Sequence, residues 1–397
     1  MVVYVNSLRK IDPPLTTSSP LSPPTYLHPP FPFRQTAQSA RCTRMCNQPS
    51  SFSTTSIPLL PFIRMDPSTT SPLKQPACSS LCETSYQQQR NGVIWRLCAG
   101  ELVTDSQWTM PRIRVLDRSG HGLNFVDVDG RWFPGDVDEQ LIRGVPDMEI
   151  RDDDVIICGW MRSGTHWTFE MTNMILNGSA QTVEMPKQDQ MIERISLDQQ
   201  RALLSPRVLN THLRFHHLPL SARKKKTKII LLLRNPRDCA VSWFNFQKTI
   251  EYFDYDGSWE DWLQLFLEGK MDWGSWFDYV RDWERVVDEN PDHPIFLLHY
   301  EEHKADPVEA VERLSRFLDC PVSSDLSRKI ADECSFDKMK DNKRNFAWTS
   351  QSGVHVHYRK GKVGDWKNWF TVRQCEEFDK VYRQKMAGSR FESLWSS

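Results

Sequence analysis

Three short turns rich in cations, hydroxyls and glycine carry the chemistry of this 397-residue chain. The first is Trp160-Met161-Arg162-Ser163-Gly164-Thr165-His166-Trp167. It sets a cation, hydroxyls and a glycine at the head of a stretch with Trp167, Met171, Met174 and Ile175 at helical spacing. Unpaired backbone N–H groups at a helix start, next to a cation, bind phosphate or sulfate. The second turn runs Arg234-Asn235-Pro236-Arg237-Asp238, with Ser242 two helical turns on. A forked guanidinium suits a phosphate dianion, and Pro236 fits a first helical position, where its missing N–H costs nothing. The third is Tyr358-Arg359-Lys360-Gly361, continuing to Gly364-Asp365-Trp366. Its two glycines permit close backbone approach to a ligand beside two cations. The first turn is not a triphosphate loop, because the Gly-x4-Gly-Lys-Ser/Thr pattern is absent.

Each turn needs an element to aim it. Val155, Ile156, Ile157 and Cys158 form an apolar run long enough for one buried strand, and it ends at the first turn. Residues 229–233 have the unbroken apolarity of a strand buried on both faces and end at Arg234. Residues 208–210 and 295–298 read as two further strands, and Tyr300 ends the second of these apolar stretches. Residues 259–283 carry Trp and Phe at helical spacing, which reads as helix core with some residues facing an acceptor.

Composition bounds the rest. The formal net charge is -1, so bulk nucleic-acid binding is not expected. The run Arg223-Lys224-Lys225-Lys226 reads as a solvated basic turn before a buried strand. No apolar window reaches the length of a membrane span, and a soluble, cytoplasmic protein without membrane partners is expected. More than half of the 25 prolines precede Ala77, and Asp12 and Asp66 are the only acidic residues up to Leu81. Residues 1–87 therefore read as a disordered Pro/Ser/Thr-rich extension. It lacks the basic start and apolar core of a secretory signal. Residues 88–123 stay unassigned, with packing on the domain edge as one option, and 124–397 form the main domain. The 10 cysteines are scattered, and Cys42, Cys46, Cys78 and Cys82 have no histidine partner at suitable spacing, so free thiols and no metal are expected.

The three turns, in their order, resemble those of the cytosolic sulfotransferases. That family's usual first loop is Tyr-Pro-Lys-Ser-Gly-Thr-Thr-Trp, its second segment Arg-Asn-Pro-Lys-Asp-x-x-x-Ser and its third Arg-Lys-Gly-x-x-Gly-Asp-Trp-Lys. The resemblance implies the donor 3′-phosphoadenosine-5′-phosphosulfate (PAPS) and no metal. It assigns Arg162, Ser163, Gly164, Thr165 and His166 to the phosphosulfate, and Arg234, Ser242, Arg359, Lys360 and Gly361 to the 3′-phosphate. Trp167 and Tyr300 then contact the adenosine, with Cys334, Ser335, Phe336 and Met339 matching the family's Thr-Ser-Phe-x-x-Met adenine segment. The family's base is the histidine of Lys-Thr-His, which here reads Asn210-Thr211-His212. His212 is thereby the implied general base, with an ordinary pKa near neutrality, and Asn210 and His212 the acceptor-side residues. His216 and His217 fall outside the motif.

Chain-specific departures accompany these matches. Asn210 replaces a lysine and so removes a cation next to the chemistry. Arg162 replaces the loop lysine and cannot donate a proton as an ammonium can. His166 replaces a threonine but can still donate one hydrogen bond. Lys367-x3-Thr371-Val372-x3-Glu376 matches the family's dimerisation motif, which implies a homodimer. The strands and the resemblance together predict an α/β fold: a single domain with a central parallel sheet flanked by helices. A P-loop-like phosphosulfate-binding loop is part of it, and ligand sits at the strand C-terminal ends beside Arg162, His212 and Arg234. The expected activity is in-line sulfuryl transfer from PAPS to a hydroxyl of a small apolar phenol, steroid or alcohol. The alternative is a catalytically weak or silent PAPS-binding regulatory protein. A nucleotide kinase is disfavoured by the missing Gly-Lys-Ser/Thr and by the Arg-Lys-Gly turn.

Overall fold

The computed structural model describes residues 87–90, 93–98, 101–103, 112–346 and 357–395. Of the expected disordered extension 1–87, residues 1–86 lie outside the described residues, and Gln87 begins a strand. Strands β1 (Gln87–Arg90), β2 (Val93–Cys98) and β3 (Glu101–Val103) form an antiparallel sheet in a unit of their own, Ser7–Val103. The unit from Thr104 onward holds everything that follows.

That second unit opens with an antiparallel sheet of β4 (Arg112–Leu116), β5 (Gly122–Val128) and β6 (Arg131–Pro134). Asn124 lies inside β5, opposite Arg114, so β4 pairs directly with the first residues of the expected domain. The central sheet holds β7 (Val155–Gly159), β8 (Val208–Thr211), β9 (Lys228–Leu233) and β10 (Ile295–His299). All its pairings are parallel, in the order β10-β9-β7-β8. The chain leaves β7 for β8 on one side, then crosses back to β9 on the other. Such a reversal opens a crevice at the C-terminal strand ends, where ligands bind in open α/β sheets.

Strand period two sends alternate side chains into two cores. Ile156, Cys158, Leu209, Ile229 and Leu231 meet Trp243, Trp262, Phe266, Trp283 and Phe378 on one face. Val155, Ile157, Val208, Ile230 and Leu232 meet Phe169, Met171, Met174, Val311 and Ile330 on the other. Burying each such side chain contributes roughly 1.5–3 kcal/mol, and both faces are covered.

Four helices matter most to the site. Helix α1 (Thr165–Leu176) follows β7, and α2 (Pro236–Thr249) follows β9 with Pro236 in its first turn and Asn235 capping Arg237 N. Helix α3 (Tyr300–Ala305) begins immediately after β10, so Tyr300 is a first helical residue rather than the end of a strand. Near the C-terminus α4 (Val372–Met386) is capped reciprocally by Thr371 and Gln374. The aromatic stretch 259–283 is interrupted rather than continuous. Gly269, in the left-handed region, ends one helix and Ser275 caps the next. Trp262, Trp276 and Trp283 are core, whereas Trp273 in the break reaches the cavity described below. Among the described residues no helix is long and apolar enough to cross a membrane, and no His/Cys/Asp/Glu group is arranged to hold a metal.

Candidate active site

One cavity of about 170 Å³ lies at the crevice. The first loop enters it through a left-handed Arg162 (φ 63°) and a left-handed Gly164 (φ 108°). A Cβ on Gly164 would sit 2.8 Å from Tyr300 Cδ2, so glycine is needed both for its backbone and for that approach. From this turn Arg162 reaches across to α2, where its Nε donates to Ser242 Oγ at 3.0 Å, and its Nη2 donates to His357 O at 3.0 Å. Arg234, at the end of β9, donates from Nη1 to Arg162 O at 2.6 Å and lies 4.3 Å over the Tyr300 ring. The first two turns are thus one connected cluster.

This cluster carries an excess of positive charge. Burial, and after it the charges of Arg234 and Arg359, pull the Arg162 guanidinium down to about 10. A guanidinium destabilised in that way gains when an anion arrives. The buried Nε of Arg234 and Nε1 of Trp167 have no hydrogen-bond partner among the described residues. Buried donors of this kind are rare, and they fit an anionic nucleotide that would accept from them.

The third turn closes the cradle. Gly361 (φ 61°) packs so tightly that a Cβ would lie 2.1 Å from Phe336 Cδ2. Asp238 on α2 accepts from Gly364 N (2.7 Å) and Trp366 N (3.0 Å), fixing the turn. Arg359 and Lys360 both pair with Asp365, at 2.7 and 2.8 Å. Burial pushes the Asp365 carboxyl up, but hydrogen bonds from Lys360, Asn368 and Arg359 outweigh it and hold it down at about 2. Trp167 meets Tyr300 edge-on at 5.9 Å, and Cys334, Phe336 and Met339 complete the wall. Ser163 and Ser335 do not line the cavity: Ser163 is buried beside Cys239, and Ser335 precedes the helix Phe336–Asn342.

His212 follows β8. Its Nδ1 is 2.7 Å from Gly159 O. A carbonyl only accepts, so Nδ1 carries the proton and Nε2 keeps its lone pair. The His212 N–H donates to Glu193 Oε1 at 2.6 Å, and Thr211 Oγ1 donates to the same oxygen at 2.6 Å. Burial first, then the charge of Lys187, hold the imidazole well below its ordinary range and keep it neutral. The Trp273 ring lies 5.4 Å away, edge-on, with Trp243, Phe246, Tyr252 and Met191 continuing that side of the cavity.

Asn210 is fully buried and does not line the cavity. Its Nδ2 donates to Lys187 O and Gln190 O, both at 3.0 Å, and its Oδ1 accepts from Lys187 Nζ at 2.6 Å. His166 stacks obliquely on His357 at 4.4 Å, and burial followed by the His357 and Lys187 charges depresses its pKa. His216 and His217 face a separate pocket. No sequence pattern marks Lys187, Glu193 or His357, whereas Trp273 falls in the 259–283 stretch expected to face an acceptor in part. Lys187 and Glu193 sit in an irregular stretch without periodicity, and only its pairing to the edge of β8, through the Met191–Asn210 bridge, brings them here.

An anion cradle and a proton acceptor opening on one cavity define a nucleotide-dependent group-transfer enzyme. The sulfotransferase domain family matches residues 152–390, more than half of the chain. Human sulfotransferase 1C2 is 36% identical over 265 residues, covering 62% of this chain and 87% of the relative. Human sulfotransferase 2A1 is 34% identical over 279 residues, covering 66% and 95% respectively. Among solved structures, mouse sulfotransferase SULT7A1 complexed with PAP, the desulfated nucleotide, superposes with a TM-score of 0.59. It shares 29% identity, over 68% of this chain and 98% of that one. The chain belongs to the sulfotransferase family and is a PAPS-dependent sulfotransferase.

Proposed function

We propose that this enzyme transfers the sulfuryl group to a hydroxyl of a small apolar acceptor, a phenol, steroid or alcohol, with His212 as general base. The observation that carries this reading is the orientation of His212. Its Nδ1 proton is committed to Gly159 O, which leaves Nε2 as a neutral acceptor on a residue that lines the cavity. The aromatic wall of Trp243, Phe246, Tyr252 and Trp273 suits a flat apolar acceptor.

PAPS supplies the sulfuryl group when bound. The acceptor oxygen loses its proton to His212 Nε2 and forms the new S–O bond. The bond from sulfur to the bridging phosphate oxygen breaks, its electron pair leaving with PAP. Arg162, Gly164, Thr165 and His166 hold the phosphosulfate, with Ser163 shaping the loop. Arg234, Ser242, Arg359, Lys360 and Gly361 hold the 3′-phosphate, and Trp167, Tyr300, Cys334, Ser335, Phe336 and Met339 surround the adenosine. This division is supported by the Arg162–Ser242 and Arg234–Arg162 links, which gather those cations around one cavity. Positioning and charge stabilisation then carry most of the rate, as in phosphoryl transfer.

A homodimer through Lys367, Thr371, Val372 and Glu376 belongs to the same reading. Val372 is 77% exposed at the start of α4, with Lys367 and Glu376 also exposed. Transfer of labelled sulfate from PAPS to a panel of phenols, steroids and alcohols tests the function. Binding of PAP without transfer to any of them would contradict it.

A further inference from the structure

The cavity holds a buried cation that the sequence motifs do not predict. Lys187 opens a short 3-10 turn, Lys187–Gln190, which is laid against the edge of β8. Only 5% of the residue is exposed, yet it lines the same cavity as Arg162 and His212. Its ammonium donates to the neutral Asn210 Oδ1 at 2.6 Å and forms no carboxylate ion pair among the described residues. A buried charge is normally paired. Here the ammonium and His212 line one cavity, and among side-chain charges Lys187 has the largest effect on His212. Asn210, at the end of β8, grips the turn at both ends through Lys187 O and Gln190 O.

We propose that Lys187, held by Asn210, is the cation that contacts the sulfuryl group and stabilises charge on its oxygens during transfer. This rests on the sulfuryl-transfer reading given above. The position occupied by asparagine in Asn210-Thr211-His212 therefore contributes a cation indirectly, through the ammonium it anchors. After burial, the same charge adds to the depression of the His212 pKa. Burial, chiefly, draws the Lys187 pKa down to about 7, with Glu193 opposing and Arg194 and Arg162 adding to the fall. His212, His166 and His357 share this pocket with their pKa values held down by burial, and Glu193 beside His212 is pushed up by burial.

The test compares PAPS with PAP, which lacks only the sulfuryl group, by calorimetry on the full chain. In Lys187→Met, affinity for PAPS falls by roughly tenfold or more, as for loss of a charged hydrogen bond, while PAP affinity changes by less than about twofold. Lys187→Arg recovers most of the loss. PAPS affinity of the unaltered chain weakens as pH rises through about 7, and this dependence disappears in Lys187→Met. Equal loss for PAPS and PAP marks a purely structural lysine and overturns the proposal, as does no loss for either. A fall confined to acceptor KM, with PAPS affinity unchanged, also overturns it. If the unaltered chain binds neither nucleotide, the underlying reading fails first; if it binds both and only the Lys187 effects are missing, the failure is of this proposal alone.

Discussion

Replacing Arg234 by alanine removes the most enclosed guanidinium of the proposed 3′-phosphate cradle. Arg234 is 9% exposed, its Nη1 is anchored on Arg162 O, and its Nε has no partner among the described residues. A buried phosphate left without such a partner loses about 2–5 kcal/mol. At 1.4 kcal/mol per decade that is roughly 30- to 4,000-fold in Kd. Arg359 is a useful contrast. Its side chain is 25% exposed and already paired with Asp365, so Arg359→Ala costs about 1 kcal/mol or less. Titration calorimetry with PAP reads both variants. A parallel titration with adenosine 5′-phosphosulfate, which has no 3′-phosphate, separates the local contact from any disturbance of the first loop. Arg234→Ala should weaken PAP by the stated factor and the second nucleotide by less than about tenfold. Unchanged PAP affinity, or equal losses for the two nucleotides, refutes the assignment.

Further predictions concern the scaffold. Asp154 and Arg207 form a fully buried pair, with Arg207 Nε donating to Asp154 Oδ1 at 2.8 Å, and they tie β7 to the chain entering β8. Asp154→Ala strands that guanidinium and should lower stability by about 3–5 kcal/mol in urea unfolding; a loss under about 1 kcal/mol would show the pair to be dispensable. Burial pushes the Asp272 carboxyl up to about 8, against hydrogen bonds from Trp243 and Gln247. With an unfolded value of about 3.9, the folded state binds the extra proton between the two values. Its stabilising contribution is complete below about 4 and is lost as pH rises through about 8. Asp272→Asn should flatten that decline in unfolding midpoints measured from pH 5 to 9, and an identical slope in both proteins would contradict it.

The legible part of the molecule was the part written in short, local patterns. Unbroken apolar runs marked β7 and β9 because both faces of the sheet are covered, and the turns that follow them hold Arg162 and Arg234. What escaped was placement that depends on partners far along the chain. Tyr300 begins a helix because β10 passes into α3 without a loop. The break between the two aromatic helices depends on Gly269 and the Ser275 cap. Asn210 read as the loss of a cation, because the sequence does not reveal that a lysine 23 residues earlier folds back onto its side chain. Glu193 escaped for the same reason: its bonds to Thr211 and His212 exist only once the irregular stretch lies along the edge of β8.

The central claim is that His212 takes the acceptor proton, and it is tested most directly by the sulfate-transfer rate of His212→Ala with PAP affinity measured alongside. The account predicts a fall of roughly 10²–10⁴ in kcat, with PAP affinity within about threefold of the unaltered enzyme because the nucleotide cradle is built from other residues. Turnover retained within about tenfold would contradict it and move the base elsewhere in the cavity.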